Sequence, residues 1–268
     1  MQKYDGQLVH QEFDEQGLIE IVETTDGVRS LHFGTSPRQS SMFIAEPQLL
    51  HSAYAKAMMS WLLFKEQPDD VLMIGLGGGL LTKYLLYQFP NCQIKTIEFR
   101  QAIIKVARRF FQLPLEHRLK IKVGDGAEYI KQQSRLNSEQ HDLIIIDAFD
   151  DVGMADTMQG SNLFSACKIL LSNKGMLVIN LWGNDKELFQ QIAWEMGTVF
   201  EWKILFLPVR GRGNIIALAF AEGHPDFSMK ALRTRAKQLD KQYQIEFLNF
   251  IKDLKRNNSS VLKRVIKS

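Results

Sequence analysis

Alternating apolar and polar positions dominate the first fifty residues of the chain. Two short extended segments, Leu18 to Glu23 and Arg29 to Phe33, are separated by Thr25-Asp26-Gly27. An Asp-Gly pair between alternating apolar positions favours a hairpin, because both residues tolerate positive φ angles. The pattern predicts a small N-terminal β domain, residues 1–46, ahead of a larger domain at residues 47–268.

From Pro47 to Phe64 the apolar positions follow helical periodicity, and strand and helix patterns then alternate along the chain. Five short apolar runs carry the strand pattern: 71–75, 94–98, 119–123, 142–147 and 176–182. Alternating strands and helices are typical of a parallel sheet covered on both faces. We therefore predict a doubly wound α/β domain.

The final strand-like runs have a different arrangement. Phe200 to Leu207 and Ile215 to Ala221 are joined only by residues 208–214, and a connection this short cannot contain a parallel crossover. These two strands are predicted to form an antiparallel hairpin at one edge of a seven-stranded, mostly parallel sheet. Beyond them, an amphipathic pattern predicts one long helix from Ser228 to about Arg256.

Composition narrows the class of protein without identifying it. The 268 residues are 45% hydrophobic and 24% charged, which is typical of a globular chain, and no run approaches the roughly 20 apolar residues of a membrane span. The N-terminus is polar and acidic and shows neither a secretory nor a transit signal, so we expect a cytoplasmic protein. Cys92 and Cys167 have no His or Cys at metal-ligand spacing, and we expect no metal site.

Positive charge is concentrated at the C-terminal end. Residues 230–268 contain eleven Lys and Arg against three Asp and Glu, although the whole chain has a net charge of only +3. A nucleic-acid-binding tail is one interpretation, but the segment offers only the aromatic pair Tyr243 and Phe247. We favour a solvated helical face and expect no nucleic-acid partner.

A glycine cluster follows the first strand of the larger domain. Gly75-Leu76-Gly77-Gly78-Gly79 connects this strand to a helix, where backbone N–H groups can approach a ligand closely. The same segment could also be a tight turn with no ligand. A dinucleotide fingerprint would require glycine at position 80, which is Leu80, and this disfavours NAD.

Carboxylates follow the next strands. Glu98 stands 19 residues after Gly79, where a carboxylate can accept the ribose hydroxyls of a nucleotide, and Asp125 in Gly-Asp-Gly can accept an adenine amino group. Asp147 and Asp150 follow the fourth strand. Ligands of open α/β sheets bind at this carboxyl edge. The alternative interpretations are an exposed strand-end acid for Glu98 and a helix N-cap for Asp150-Asp151.

The ordered motifs IGLGGG, TIEF, VGDGAEYI, HDLIIIDAFDD and KILLSNKGMLVINLW resemble those of the polyamine aminopropyltransferases, the family of spermidine synthase. The resemblance extends over about residues 54–221. It implies a methyltransferase-like nucleoside-binding fold and transfer of an aminopropyl group from decarboxylated S-adenosylmethionine to a diamine, without a metal. Dimers are usual in that family, and Met42, Phe43, Leu49 and Leu50 are candidates either for such a contact or for the core.

The resemblance also implies roles for individual residues. Nucleoside binding would involve Gly75, Gly77, Gly79, Glu98, Asp125, Gly126 and Asp147. Asp150 would be the catalytic acid that orients and deprotonates the attacking amine, while Tyr54 and Asp151 would contact the amine substrate.

Four departures from the family pattern affect the choice of substrate. The family's glycine turn usually carries an aspartate at position 78, where this chain has Gly78. Ala55 replaces a histidine, Asp151 replaces a proline, and residues 208–212 bring arginines where the family has a tyrosine-bearing segment. Two alternatives therefore stay open: a methyltransferase that uses intact S-adenosylmethionine on another acceptor, and a nucleoside-binding protein without turnover.

Overall fold

The N-terminal segment forms an antiparallel four-stranded sheet in the computed structural model, which describes residues 3–136, 140–148, 160–221 and 228–266. Its strands pair in chain order: β1 (Gln7–Asp14), β2 (Gly17–Glu23), β3 (Val28–His32) and β4 (Ser40–Phe43). The predicted hairpin is confirmed as β2 and β3, closed by a 3.1 Å hydrogen bond from the Gly27 amide to the Thr24 carbonyl. The outer strands β1 and β4 were not predicted.

Within the described residues, the larger sheet has seven strands. They are β5 (Asp70–Ile74), β6 (Gln93–Glu98), β7 (Leu119–Val123), β8 (His141–Ile146), β9 (Leu171–Trp182), β10 (Ile204–Pro208) and β11 (Asn214–Phe220). Their spatial order is β10-β11-β9-β8-β5-β6-β7, with parallel pairing from β9 to β7. Both β10 and β11 pair in antiparallel fashion, so the predicted fold class is confirmed.

Helices cover both faces of this sheet. They are α1 (Ala53–Met58), α2 (Leu80–Gln88), α3 (Gln101–Phe110), α4 (Gly126–Leu136), α5 (Ser161–Leu170), α6 (Lys186–Val199), α7 (Met229–Tyr243), α8 (Phe247–Asn257) and α9 (Leu262–Val265). Side chains of α1, α2, α7 and α8 form the apolar core on one face of the sheet, and those of α4, α5 and α6 form the core on the other. None of the helices in the described part of the chain is long and apolar enough to cross a membrane.

The predicted helix over residues 47–64 is too long. The helix begins at Ala53, because the Ser52 hydroxyl caps it by accepting the Ala55 amide at 3.4 Å. After Met58 the chain continues as a 3₁₀ helix over Met59–Leu63.

The single C-terminal helix predicted over residues 228–256 is wrong. Helix α7 ends at Tyr243, where the C-cap residue Gln244 has a φ angle of +54° in the left-handed region, and α8 begins only at Phe247. This break lets the apolar side chains of both helices, such as Leu232 and Ile251, pack on the same core. The predicted absence of a nucleic-acid partner remains a prediction.

The N-terminal sheet packs on α3, close to the glycine cluster. Ile21 and Met42 of the sheet share an apolar cluster with Val106 of α3 and the following Phe111. The Arg100 guanidinium adds a bidentate ion pair with Asp14 at 2.7 and 3.0 Å. The sheet therefore lies beside the carboxyl edge of the larger sheet, while the proposed domain boundary after residue 46 remains a prediction.

Candidate active site

In the glycine turn after β5, a side chain at Gly75 is excluded both by the backbone conformation and by the neighbouring backbone. Gly75 has a φ angle of +89°, and a Cβ atom there would lie 2.3 Å from the carbonyl oxygen of Asp147. The Gly75 amide donates to the Ile97 carbonyl at 2.9 Å. The turn is therefore closely packed between the ends of β8 and β6.

Glu98, the last residue of β6, is hydrogen-bonded to this turn. Its Oε2 accepts the Leu76 amide and its Oε1 the Arg100 amide, both at 2.8 Å, and only 7% of the residue is exposed. Burial raises the pKa of Glu98, while these backbone N–H groups act in the opposite direction. The alternative interpretation of Glu98 as an exposed strand-end acid is wrong, because the carboxylate is enclosed beside the turn.

Asp125 and Gly126 lie at the end of the next strand, β7. The Gly124 amide donates to the Glu98 carbonyl at 3.0 Å, so the two strand ends are adjacent. Oδ1 of Asp125 accepts the Glu128 amide at 3.0 Å and caps α4. Gly126 is the buried first residue of that helix. One Asp125 oxygen is thus used structurally.

Asp147 directly follows β8, on the other side of the glycine turn. Its amide donates to the Ile74 carbonyl at 2.9 Å, and its Oδ1 accepts the side-chain amide of Asn180 at 2.9 Å. The Tyr54 hydroxyl of α1 also donates to this carboxylate. Burial raises the pKa of Asp147, whereas the hydrogen bonds from Asn180 and Tyr54 act to lower it. Burial, followed by the negative charge of Asp147, raises the phenol pKa of Tyr54 well above its usual value.

Two asparagines extend this group and were missed by sequence reasoning. Oδ1 of Asn180, on β9, accepts the side-chain amide of Asn214, on β11, at 3.0 Å. Asn180 is 97% buried and interrupts an otherwise apolar run over residues 176–182. A polar residue inside such a strand was the available signal, because a buried amide requires hydrogen-bond partners.

The carboxyl edge of neighbouring strands therefore brings together the glycine turn, Glu98, Asp125, Asp147 and Tyr54. The roles given to them, and to Gly77 and Gly79 in the turn, remain predictions. Asp150 and Asp151 lie outside the described residues, so the structure does not place the predicted catalytic acid. In the ranges that the structure describes, no group of three or more His, Cys, Asp or Glu residues is arranged to hold a metal ion.

The sequence departures have structural counterparts. A Cβ atom on Gly78 would lie 2.8 Å from the Ser40 hydroxyl oxygen and 2.9 Å from the Phe111 ring, so β4 and the segment after α3 fill the space of a side chain there. Ala55 is fully buried. The Arg210 guanidinium is paired with Asp253 of α8 at 2.7 and 3.1 Å, which compensates its positive charge.

Comparison with known proteins decides the family. Residues 51–230 match the family model of the spermine/spermidine synthase domain. The chain belongs to the spermine/spermidine synthase family. A polyamine aminopropyltransferase of Chromobacterium violaceum is 35% identical over 241 residues, which cover 90% of this chain and 90% of that relative.

Solved structures agree with this family fold. A spermidine synthase in complex with the transition state analogue AdoDATO superposes with a TM-score of 0.66 at 19% identity, covering 97% of this chain and 85% of that one. Human methyltransferase-like protein 13, solved with SAH, gives a TM-score of 0.67 at 22% identity, covering 72% and 93%. At these identities the likeness shows the fold alone, and that fold is methyltransferase-like.

Proposed function

We propose that this member of the spermine/spermidine synthase family is a polyamine aminopropyltransferase. It transfers the aminopropyl group of decarboxylated S-adenosylmethionine to a diamine. The observation that best supports this is the placement of Glu98, Asp125 and Asp147 at one sheet edge around the glycine turn, in a chain whose full-length relative carries this activity in its name.

The nucleoside would lie across the ends of β5, β6 and β7. Glu98 would accept the ribose hydroxyls, since a carboxylate has about four acceptor positions and the backbone amides of Leu76, Gly77 and Arg100 use only part of them. The Asp125 oxygen that does not cap α4 would accept the adenine amino group. Gly75, Gly77 and Gly79 have no Cβ atoms, which lets the backbone of the turn approach the ligand closely.

The reaction is a direct displacement. The amine nitrogen of the acceptor attacks the aminopropyl methylene carbon next to the sulfonium sulfur, the bond between that carbon and the sulfur breaks, and methylthioadenosine leaves. Asp150 orients the attacking amine and takes its proton, while Tyr54 and Asp151 contact the acceptor. Asp147, one of the predicted nucleoside-binding residues, is hydrogen-bonded to Tyr54 and would line the pocket on the acceptor side. Positioning of the two substrates supplies most of the rate enhancement, and the displacement itself needs no metal ion.

Gly78 determines which nucleoside the site tolerates. An aspartate at this position, usual in the family, would attract the free amine of the decarboxylated nucleoside and repel the carboxylate of intact S-adenosylmethionine. Two like charges about 4 Å apart at an effective dielectric constant of about 20 repel by about 4 kcal/mol. Because Gly78 has no such charge, we expect intact S-adenosylmethionine to bind as well.

The assembly and location of the protein also remain proposals. We propose a homodimer, as is usual in the family. Among the candidate contact residues, Met42 and Leu50 are buried within the chain itself, whereas Leu49 is 36% exposed and Phe43 is partly exposed. Any such contact would therefore involve Phe43 and Leu49. A cytoplasmic location remains a prediction.

Product analysis by mass spectrometry tests the reaction. Putrescine and decarboxylated S-adenosylmethionine should give spermidine and methylthioadenosine with the wild-type protein, and at least about a hundredfold less with Asp150→Asn. Asp5→Asn, an exposed substitution of the same type, should retain activity. S-adenosylhomocysteine as the product would instead identify a methyltransferase, and nucleoside binding without either product would identify a protein that lacks turnover.

A further inference from the structure

A row of hydrogen-bonded side chains crosses three neighbouring strands next to the proposed acceptor site. The Asn214 amide group donates to Oδ1 of Asn180 at 3.0 Å, and the Asn180 amide group donates to Oδ1 of Asp147 at 2.9 Å. In the antiparallel pairing of β11 with β9, Asn214 is paired with Trp182, so the two asparagines are diagonal neighbours on adjacent strands.

The Asn180 side chain directs its NH₂ group at Asp147 and its carbonyl oxygen at Asn214. This is the orientation that an ionised Asp147 requires, because a carboxylate accepts hydrogen bonds and donates none. Asn214 completes the row by donating to the Asn180 oxygen. Without this donor, Asn180 could rotate and place a carbonyl oxygen against the carboxylate.

Few other groups act on Asp147. Tyr54 donates from α1, Asn180 from β9, and Gly75 of the glycine turn packs against the Asp147 carbonyl group. Of these contacts, Tyr54 is the only titratable residue in the part of the chain that the structure describes. No Lys or Arg there shifts the pKa of Asp147. Asp150 and Asp151 follow in the sequence but lie outside that part of the chain.

We propose that Asn214 is a positioning residue for the transfer reaction: it fixes the Asn180 amide so that an ionised Asp147 faces the ammonium end of the acceptor. The inference rests on the proposed function, because it assumes a diamine acceptor. Asn214 does not touch Asp147 itself and acts only through Asn180. The antiparallel hairpin at the edge of the sheet would thereby influence chemistry two strands away.

Replacement of Asn214 by residues of the same shape tests this directly. Leu is close to Asn in size but donates no hydrogen bond, and Asp is close in size but offers only acceptors. With Asn214→Leu, the loss of ordered donation should move the acidic limb of the kcat/KM profile to higher pH by about one unit. Asn214→Asp should move it further, because it also adds a negative charge. Lys186→Gln, an exposed substitution with the same change in charge, is the control.

A measurement independent of activity separates this inference from the proposed function. The full chain labelled with ¹³Cγ-aspartate is titrated by NMR, and Asp147→Asn identifies the Asp147 resonance. The Asp147 midpoint should rise in both Asn214 variants and stay in place in Lys186→Gln. If the wild-type chain transfers no aminopropyl group, the proposed function fails, but this titration still decides whether Asn214 acts on Asp147.

The inference would be overturned if Asp147 in Asn214→Leu titrated as in the wild type. A shift of the midpoint in Asn214→Asp alone would then show a direct charge effect without ordering of Asn180. Thermal unfolding checks that each variant is folded. Should Asn214→Leu fail to fold, Asn214→Ala is the second neutral variant, with the same expected direction of shift.

Discussion

Oε2 of Glu98 lies 2.8 Å from the main-chain nitrogen of Leu76, in the glycine turn. The carboxylate that the sequence proposes for ribose binding is therefore also a structural anchor of the turn. The two roles are compatible, because the backbone amides of Leu76, Gly77 and Arg100 use only part of the acceptor capacity of a carboxylate.

Replacement of this carboxylate should affect both roles. In Glu98→Gln one side-chain oxygen becomes an NH₂ group that must face a backbone N–H group or a ribose hydroxyl. We expect methylthioadenosine to bind at least about tenfold more weakly and the protein to lose about 1–3 kcal/mol of stability. Isothermal titration calorimetry and denaturant unfolding measure these quantities. Glu128→Gln, on an exposed part of α4, is the control, and unchanged affinity in Glu98→Gln would contradict the ribose assignment.

Gly75→Ala should destabilise the protein by more than the strain of a positive φ angle alone. Gly75 and Gly27 both have positive φ angles, +89° and +78°, but only at Gly75 would a Cβ atom meet another residue, at 2.3 Å from the Asp147 carbonyl oxygen. We expect Gly27→Ala to cost about 1 kcal/mol in unfolding free energy and Gly75→Ala at least about 2 kcal/mol more. Equal losses would show that the end of β8 moves freely.

The site should not bind the decarboxylated nucleoside more tightly than intact S-adenosylmethionine. With Gly78 in place of an aspartate, we expect intact S-adenosylmethionine to bind at least as tightly as the decarboxylated form when both are titrated by calorimetry. An aspartate cannot simply be restored at this position, since Ser40 and Phe111 occupy the space. A clear preference for the decarboxylated nucleoside would defeat this prediction.

Lys83 should make the free energy of unfolding rise with pH in the alkaline range. Its ammonium group, on α2, donates to the Phe111 carbonyl, and burial lowers its pKa to about 8. The unfolded chain then binds more protons between pH 8 and its ordinary value of 10.5, so this group makes stability rise with pH in that window. The rise should reach at most about 3 kcal/mol.

Comparison of wild-type and Lys83→Met unfolding curves isolates this contribution, because the other titrating groups are shared. The difference in stability between the two proteins should change in favour of the wild type from pH 8 to 10.5. The exposed variant Lys230→Met should show no such change. Parallel wild-type and Lys83→Met profiles would mean that the lysine is less buried in solution than its position indicates.

The parts of the fold that the sequence predicts well are those with strong local periodicity. The parallel strands read as apolar runs, and the seven-residue connection at 208–214 is enough to predict an antiparallel edge. By contrast, β1 is largely exposed and has no apolar face to reveal it. The break at Gln244 has neither Gly nor Pro as a local signal.

In the candidate site, too, the residues that local sequence patterns mark were predictable. Glu98, Asp125 and Asp147 each stand at a strand end, which the sequence shows. The contact of Asn180 with Asn214 depends on the register between β9 and β11. Because these two strands are far apart along the chain, local sequence patterns do not determine their register.

A crystal structure of the chain with methylthioadenosine would show directly where the nucleoside lies. We expect the ribose hydroxyls within hydrogen-bond distance of Glu98 and the adenine amino group at Asp125. A nucleoside bound elsewhere, or bound here without contact to either carboxylate, would contradict this placement.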